Sequence, residues 1–90
     1  DRTGLAQVLG DLETAIVETL WSLGAPTTVT DVQRAMSDTP RAYHTVTTVM
    51  VRLCEKGILQ RRKRDGVWHY VPRLSREEFH RQVAHEVIAG

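Results

Sequence analysis

The chain has 90 residues, of which 41% are hydrophobic and 26% are charged, and its formal net charge is +1. This length is enough for one small domain with a single core and excludes two. The single cysteine, Cys54, excludes an internal disulfide, and no apolar run approaches the roughly 20 residues of a membrane-spanning helix. We therefore expect a cytoplasmic protein without a membrane segment. Because the chain begins without Met and ends at Gly90 inside a helical pattern, we also expect a piece of a longer protein.

The first predicted element is an amphipathic helix from Asp11 to Leu23, where apolar residues recur at a helical spacing. Asp11 is the expected N-cap, and Gly24 fits the left-handed position just past the helix end. The connector that follows, Ala25 to Val29, has room for a very short strand.

Two further helices follow, and each has a start signal. Thr30 and Gln33 have capping-box spacing and predict a short helix over 31–37. Thr39 as N-cap with Pro40 at the first helical position predicts a longer helix that ends near Lys56. The residues expected to be buried in these two helices are Val32, Ala35, Met36, Val46, Val49, Met50 and Leu53.

After Gly57 the apolar period changes from that of a helix to that of a strand. The stretches 58–64 and 67–71 read as two strands, and Asp65-Gly66 between them suits a two-residue type I′ turn. Pro72 is expected to end the second strand. The segment therefore predicts a β-hairpin.

A final capping box, Ser75 with Glu78, opens a helix that carries Phe79, Val83 and Val87 on one side. The order of elements predicts an α+β chain, mostly helical with one small hairpin. This is a winged helix-turn-helix, with a three-helix core, a wing and a C-terminal helix.

The apolar stripe of that last helix, Phe79, Val83 and Val87, allows two interpretations. It could fold back on the core, or it could pair with a second subunit, as a dimeric repressor would require.

The charge is distributed unevenly along the chain. Residues 41–73 hold eight basic and two acidic residues, a net charge of +6, whereas the others hold four basic and nine acidic residues, a net charge of −5. A basic segment in a small domain favours a polyanionic partner such as DNA.

The exposed side of the third helix is unusual, because threonine is a poor helix former and a solvated face would normally carry Glu, Lys or Gln. Short hydroxyls, an aromatic ring and a histidine can approach base edges closely. The alternative is that the threonines pack against the neighbouring helix. The candidate base-reading residues are Tyr43, His44, Thr45, Thr47 and Thr48, with Arg41 beside them as a phosphate contact.

The hairpin carries four consecutive basic residues, Arg61, Arg62, Lys63 and Arg64, which we predict to contact DNA phosphates. The alternative is a charged edge strand that resists aggregation. Trp68 and Tyr70 share one side of the second strand. We expect them to close the core, and stacking on bases of a single-stranded partner is the alternative.

No pattern in the sequence indicates an enzyme, a cofactor or a metal site. There is no nucleophile elbow, phosphate loop or zinc-protease motif. Cys54 has no second cysteine as a partner, and His80 and His85 are five residues apart, which does not place them on one helix face.

Taken together, the residues resemble the BlaI/MecI/CopY family of winged-helix repressors, over Leu9 to about Ala89. The residues that carry the resemblance are Leu9-Gly10-Asp11-Leu12-Glu13, Leu20-Trp21, Val29-Thr30-Asp31-Val32, Tyr43 to Met50, Arg52-Leu53, Glu55-Lys56-Gly57-Ile58-Leu59 and Trp68-His69-Tyr70-Val71-Pro72.

The resemblance implies a homodimer that represses transcription by covering a palindromic operator, often with TACA/TGTA half-sites. It implies DNA contacts by His44, Thr45, Thr47 and Arg52, and we place Arg52 among the phosphate contacts. The resemblance also implies that residues 1–73 form the winged-helix DNA-binding domain and that residues 74–90 begin a truncated helix leading to a dimerisation region. In the family, induction belongs to this C-terminal region, through a membrane sensor protease in one branch and cysteine pairs in the copper branch. Two other functions stay open, a protein–protein module and a nucleic-acid binder without sequence preference.

Overall fold

The computed structural model describes residues 9–24 and 26–89, with side chains up to residue 84. Its elements, in chain order, are α1 (Asp11–Leu23), α2 (Val29–Ala35), α3 (Tyr43–Glu55), β1 (Leu59–Arg64), β2 (Val67–Pro72) and α4 (Arg76–Ala89). Three helices, an antiparallel hairpin and a fourth helix make an α+β winged helix, so the predicted fold class is confirmed.

The core lies where the first three helices meet the base of the hairpin. The predicted stripe of α3, Val46, Val49, Met50 and Leu53, is buried as expected. Val32 and Met36 of the α2 segment are also buried, but Ala35 is exposed, so that part of the prediction is wrong. The other buried apolar side chains are Leu9, Ile16, Val17, Leu20, Val29, Leu59, Tyr70, Phe79 and Val83.

The first helix has the predicted bounds but not the predicted cap. Gly10, not Asp11, is the N-cap residue, and its backbone N–H donates to Glu13 Oε1 at 3.0 Å. Glycine has no side chain that could cap the helix. The cap therefore consists of the Glu13 carboxylate, which accepts from the backbone N–H of Gly10. Gly24 ends the helix at φ 73°, the left-handed conformation expected for it.

The second helix starts two residues earlier than predicted. Thr28, not Thr30, is its N-cap, and the reciprocal partner is Asp31, not Gln33. Asp31 N–H donates to Thr28 Oγ1 and Thr28 N–H donates to Asp31 Oδ2, both at 3.1 Å. The earlier start places Val29 inside the helix and in the core, where it is 6% exposed.

The third helix starts later than Thr39-Pro40 predicts. Its N-cap is Ala42, whose carbonyl accepts from Thr45 N–H and Val46 N–H. Thr39 N–H donates to Met36 O at 3.1 Å, so Thr39 belongs to the turn that reverses the chain after α2. Gln33 Nε2 donates to Arg41 O at 3.0 Å and ties this turn to α2. Gly57, at φ 79°, follows the end of α3 as predicted.

The hairpin has the predicted turn, and two hydrogen bonds attach its base to the connector before α2. Asp65 and Gly66 both have positive φ, 52° and 80°, as a type I′ turn requires. At the base, Thr27 N–H donates to Tyr70 O at 3.0 Å, and Tyr70 N–H donates to Thr27 O at 2.7 Å. The connector, which had room for a very short strand, thus contributes one isolated β-bridge that holds β2 against the helical core.

The fourth helix packs on α1. Ser75 and Glu78 form the predicted capping box, with hydrogen bonds of 2.8 and 3.1 Å. Trp21 Nε1 donates to Leu74 O at 2.9 Å, and the Trp21 ring meets Phe79 edge to face at 5.8 Å between centroids. An ion pair of 2.9 Å joins Glu18 of α1 to Arg76 of α4.

Two residues of the last apolar stripe fold back on the core, as the first interpretation expects. Phe79 and Val83 are only 8% and 6% exposed and belong to the core of this chain. The prediction that these two side chains form a dimer contact is therefore not supported, because the core of the same chain already covers them. Val87 lies outside the residues whose side chains the structure describes.

Candidate nucleic-acid interface

The N-terminal half of α3 presents polar side chains at the surface. Tyr43 is 54% exposed, His44 and Thr48 are also exposed, and Thr45 and Thr47 are half-buried on opposite flanks of the helix. Since the apolar stripe of α3 faces the core, these five residues occupy the remaining surface of its first two turns. The face that the sequence predicts is thus available to a partner.

Two of the threonine hydroxyls are already hydrogen-bonded within the helix. Thr47 Oγ1 donates to Tyr43 O at 2.9 Å and Thr48 Oγ1 donates to His44 O at 2.8 Å. This back-bonding fixes each hydroxyl proton and leaves the oxygen lone pairs and the methyl group facing outward. In this state, each of these two threonines offers a partner a hydrogen-bond acceptor and an apolar contact, not a donor.

The four basic residues of β1 are all exposed, and the strand register divides them between two faces. Arg61 lies opposite Tyr70 and Lys63 opposite Trp68, on the face that Tyr70 turns toward the core. The other two, Arg62 and Arg64, lie opposite His69 and Val67 on the outer face. The wing therefore presents positive charge on both sides.

Trp68 does not close the core, which corrects the expectation for this residue. Tyr70 is 1% exposed and Trp68 is 39% exposed, although both point to the same face of β2. Trp68 is two residues nearer the hairpin tip, about 6.6 Å farther along the strand, and so lies beyond the helical core. The guanidinium carbon of Arg61 lies 4.1 Å from the centroid of the Trp68 ring, and Lys63 Nζ lies 5.5 Å from the same centroid.

A cleft of about 310 Å³ separates the start of α3 from the tip of the wing, and we call it the wing cleft. It brings predicted base-reading residues and wing residues to one place. Its lining residues are Thr28, Val29, Thr30, Tyr43, Thr47, Gly66, Val67, Trp68 and Tyr70. The positions of Trp68 and Val67 in this cleft were not predicted, although Lys63 opposite Trp68 was a usable signal.

The remaining predicted phosphate contacts lie at the two ends of α3. Arg41 is exposed in the turn before the helix, and its Nη1 donates to Pro40 O at 3.1 Å. Arg52 is exposed near the other end, close enough to Glu13 for its charge to lower the pKa of that carboxyl. About 13 Å of helix separates Tyr43 from Arg52, so Arg52 lies well beyond the part of α3 that lines the wing cleft.

The described residues include no group of three or more His, Cys, Asp or Glu side chains placed to hold a metal ion. Cys54 is half-buried on α3, and burial raises the pKa of its thiol. Among the described helices, none combines the length and the apolar character needed to cross a membrane.

Comparison with known proteins identifies the family. A family model described as penicillinase repressor matches residues 9–90. Proteins named transcriptional regulator BlaI, from two strains of Mycobacterium tuberculosis, are each 41% identical over 71 residues. The matched region is 78% of this chain and 51% of the relative, so the chain spans about half the length of the curated relatives it matches. The chain belongs to the penicillinase repressor family, and the BlaI/MecI/CopY resemblance is confirmed.

Proposed function

We propose that this chain binds double-stranded DNA sequence-specifically, as the DNA-binding part of a transcriptional repressor. The observation that carries the proposal is the wing cleft, which α3 and the wing line from two sides and which lies beside the exposed basic residues of β1. In helix-turn-helix proteins the N-terminal part of the second helix of the motif reads base edges in the major groove. Here that helix is α3, and the family of transcriptional repressors supports the same role.

In the proposed complex Tyr43, His44, Thr45, Thr47 and Thr48 face base edges, and Arg41, Arg52 and Arg61 to Arg64 face phosphates. Base contacts provide the sequence preference, whereas phosphate contacts provide most of the salt-dependent affinity. The proposal includes residues 1–73 as the DNA-binding domain and residues 74–90 as the start of a region through which a homodimer covers a palindromic operator. It places the protein in the cytoplasm, and a membrane sensor protease is one proposed source of the inducing signal.

Fluorescence anisotropy with a palindromic TACA/TGTA duplex and its scrambled version, at about 50 and 200 mM salt, tests the proposal. We expect the palindrome to be preferred at both salt concentrations. Equal binding to both duplexes, lost together as salt rises, would reduce the function to nucleic-acid binding without sequence preference. A folded chain that binds neither duplex would favour a protein–protein module.

A further inference from the structure

We infer that Trp68 is a positioning residue, which holds Arg61 and Lys63 against the sugar–phosphate strand of a DNA duplex seated in the wing cleft. The inference rests on the proposed function and goes beyond it, because it assigns a role to an aromatic residue that makes no base-edge hydrogen bond. It also distinguishes the two basic residues on the Trp68 face from Arg62 and Arg64 on the outer face.

The first observation is the surface around the cleft. Tyr43, Val67 and Trp68 are 54%, 47% and 39% exposed, and all three line it. Single exposed apolar residues are ordinary, but several around one concave site are typical of an interaction surface. Glycine at position 66, which also lines the cleft, adds no side chain to obstruct it.

The second observation is the distribution of charged side chains around Trp68 and the wing cleft. Arg61 and Lys63 lie over the Trp68 ring, and none of the described residues that line the cleft is acidic. A sugar–phosphate strand presents apolar deoxyribose faces between anionic phosphates. The exposed apolar surface of Trp68 suits the sugar, and the two cations suit the phosphates on either side of it.

The contact with Trp68 also restricts the flexible side chains of Arg61 and Lys63 before DNA binds. A free arginine or lysine loses rotamer entropy when it binds a phosphate, and this loss weakens binding. Stacking on an indole ring restricts the guanidinium before binding, while its N–H groups remain available to donate at the ring edge. Trp68 therefore increases the share of Arg61 and Lys63 conformations that can reach phosphate, without adding charge.

The inference is tested by substitutions of Trp68 that do not change the net charge of the chain. We expect Trp68→Leu to weaken binding to duplex DNA about fivefold at about 100 mM salt. The slope of log affinity against log salt should fall by about 1, because an unpositioned cation contacts phosphate less often. Trp68→Phe keeps an aromatic face and should retain most of the slope. His69→Leu, at the next residue and on the outer face of the wing, is the matched control and should keep the slope of the parent chain.

A Trp68→Leu variant that is folded and keeps the parent slope would overturn the inference while leaving the proposed function intact. If the parent chain itself shows no salt-dependent binding to duplex DNA, the proposed function fails, and that result is separate.

A second measurement uses the unsubstituted chain, labelled with 5-fluorotryptophan, which should give two ¹⁹F resonances. The resonance of Trp68 is assigned as the one that disappears in Trp68→Phe. On DNA binding we expect the Trp68 resonance to shift and the Trp21 resonance to shift much less. An unmoved Trp68 resonance at saturation would also contradict the inference.

Discussion

The ammonium group of Lys56 donates hydrogen bonds to both carboxylate oxygens of Glu13, at 2.9 and 3.0 Å. Lys56 is the C-cap of α3 and Glu13 lies in the first turn of α1, so each charge is at the helix end whose dipole favours it. The Glu13 side chain is 10% exposed and also accepts from Gly10 N–H. One carboxylate thus caps α1 and fixes the end of the proposed reading helix.

Glu13→Ala should lower the free energy of unfolding by about 1 to 2 kcal/mol, because it removes the cap of α1 and leaves Lys56 without this partner. Glu13→Gln should cost less, since its amide oxygen can still accept from Gly10 N–H. Urea unfolding followed by circular dichroism measures both values. An alanine variant as stable as the parent would show that this contact contributes nothing to the fold.

The charge of Glu13 predicts how stability depends on pH. Burial raises the pKa of Glu13, but hydrogen bonds from Lys56 and Gly10 and the charges of Lys56 and Arg52 together lower it below 4.5. A lowered folded-state pKa contributes stability that is present above the unfolded pKa and is lost as pH falls through the folded pKa. The stability difference between the parent and Glu13→Gln should therefore shrink between about pH 5 and pH 3. A difference that stays constant over this range would exclude a contribution from the charge.

The Thr28 cap of α2 predicts a contribution to the free energy of unfolding, and Thr30, two residues later, serves as the control. Thr28→Ala should lower the free energy of unfolding by about 1 kcal/mol, because it removes the side-chain acceptor for Asp31 N–H. Thr30→Ala should change it by less than about 0.5 kcal/mol, because Thr30 lies within the helix and is not its cap. Thermal and urea unfolding of both variants compare the two threonines directly, and a larger effect at Thr30 would contradict the structure.

The contact of Trp21 with Leu74 predicts local stability in α4. Trp21→Phe keeps an aromatic ring near Phe79 but loses the 2.9 Å hydrogen bond to Leu74 O. We expect a loss of about 1 kcal/mol and faster amide hydrogen exchange in residues 79–84 than in the parent chain. Exchange in the middle of α3 serves as the internal reference. Equal acceleration in both helices would mean that Trp21 stabilises the whole domain and not the attachment of α4.

The proposed reading helix predicts two kinds of effect on DNA binding. His44→Ala and Thr45→Ala should reduce the preference for the operator over scrambled DNA. Arg62→Ala should weaken binding to both duplexes equally and lower the salt slope by about 1. Anisotropy titrations of each variant with both duplexes separate these effects. Unchanged specificity in Thr45→Ala would place the reading surface elsewhere.

Much of the fold could be predicted because its signals are local. The apolar spacing of α1, the glycine at 24, the Asp65-Gly66 turn and the Ser75–Glu78 box each act within a few residues, and the structure has all of them. The cap of α2 was predicted at Thr30 but lies at Thr28, and the earlier start buries Val29. The start of α3 was predicted too early, because Thr39 belongs to the chain reversal after α2 and the N-cap is Ala42, which has no capping side chain.

The site was harder to predict because its geometry depends on distances across the fold. Strand alternation places Trp68 and Tyr70 on one face but does not say how far the helical core extends along the hairpin. The Glu13–Lys56 pair joins residues 43 apart in sequence, and no periodic pattern indicates it. The surface position of the polar residues on the proposed reading helix could be predicted, because they alternate with the apolar stripe of α3. How the wing tip completes a cleft beside them became apparent only in three dimensions.

The bridge between Thr27 and Tyr70 has a consequence for how the wing behaves among neighbouring molecules. It covers part of the open side of β2, whereas in the described part of the chain no strand pairs with the other side of β1. That open edge can accept a strand from another molecule, and the four cations of β1 oppose such pairing by mutual repulsion. Replacing all four cations at once would therefore promote self-association as well as remove the proposed DNA contacts. Lost DNA binding in such a variant would be interpretable only beside a sedimentation measurement showing that it is still monodisperse.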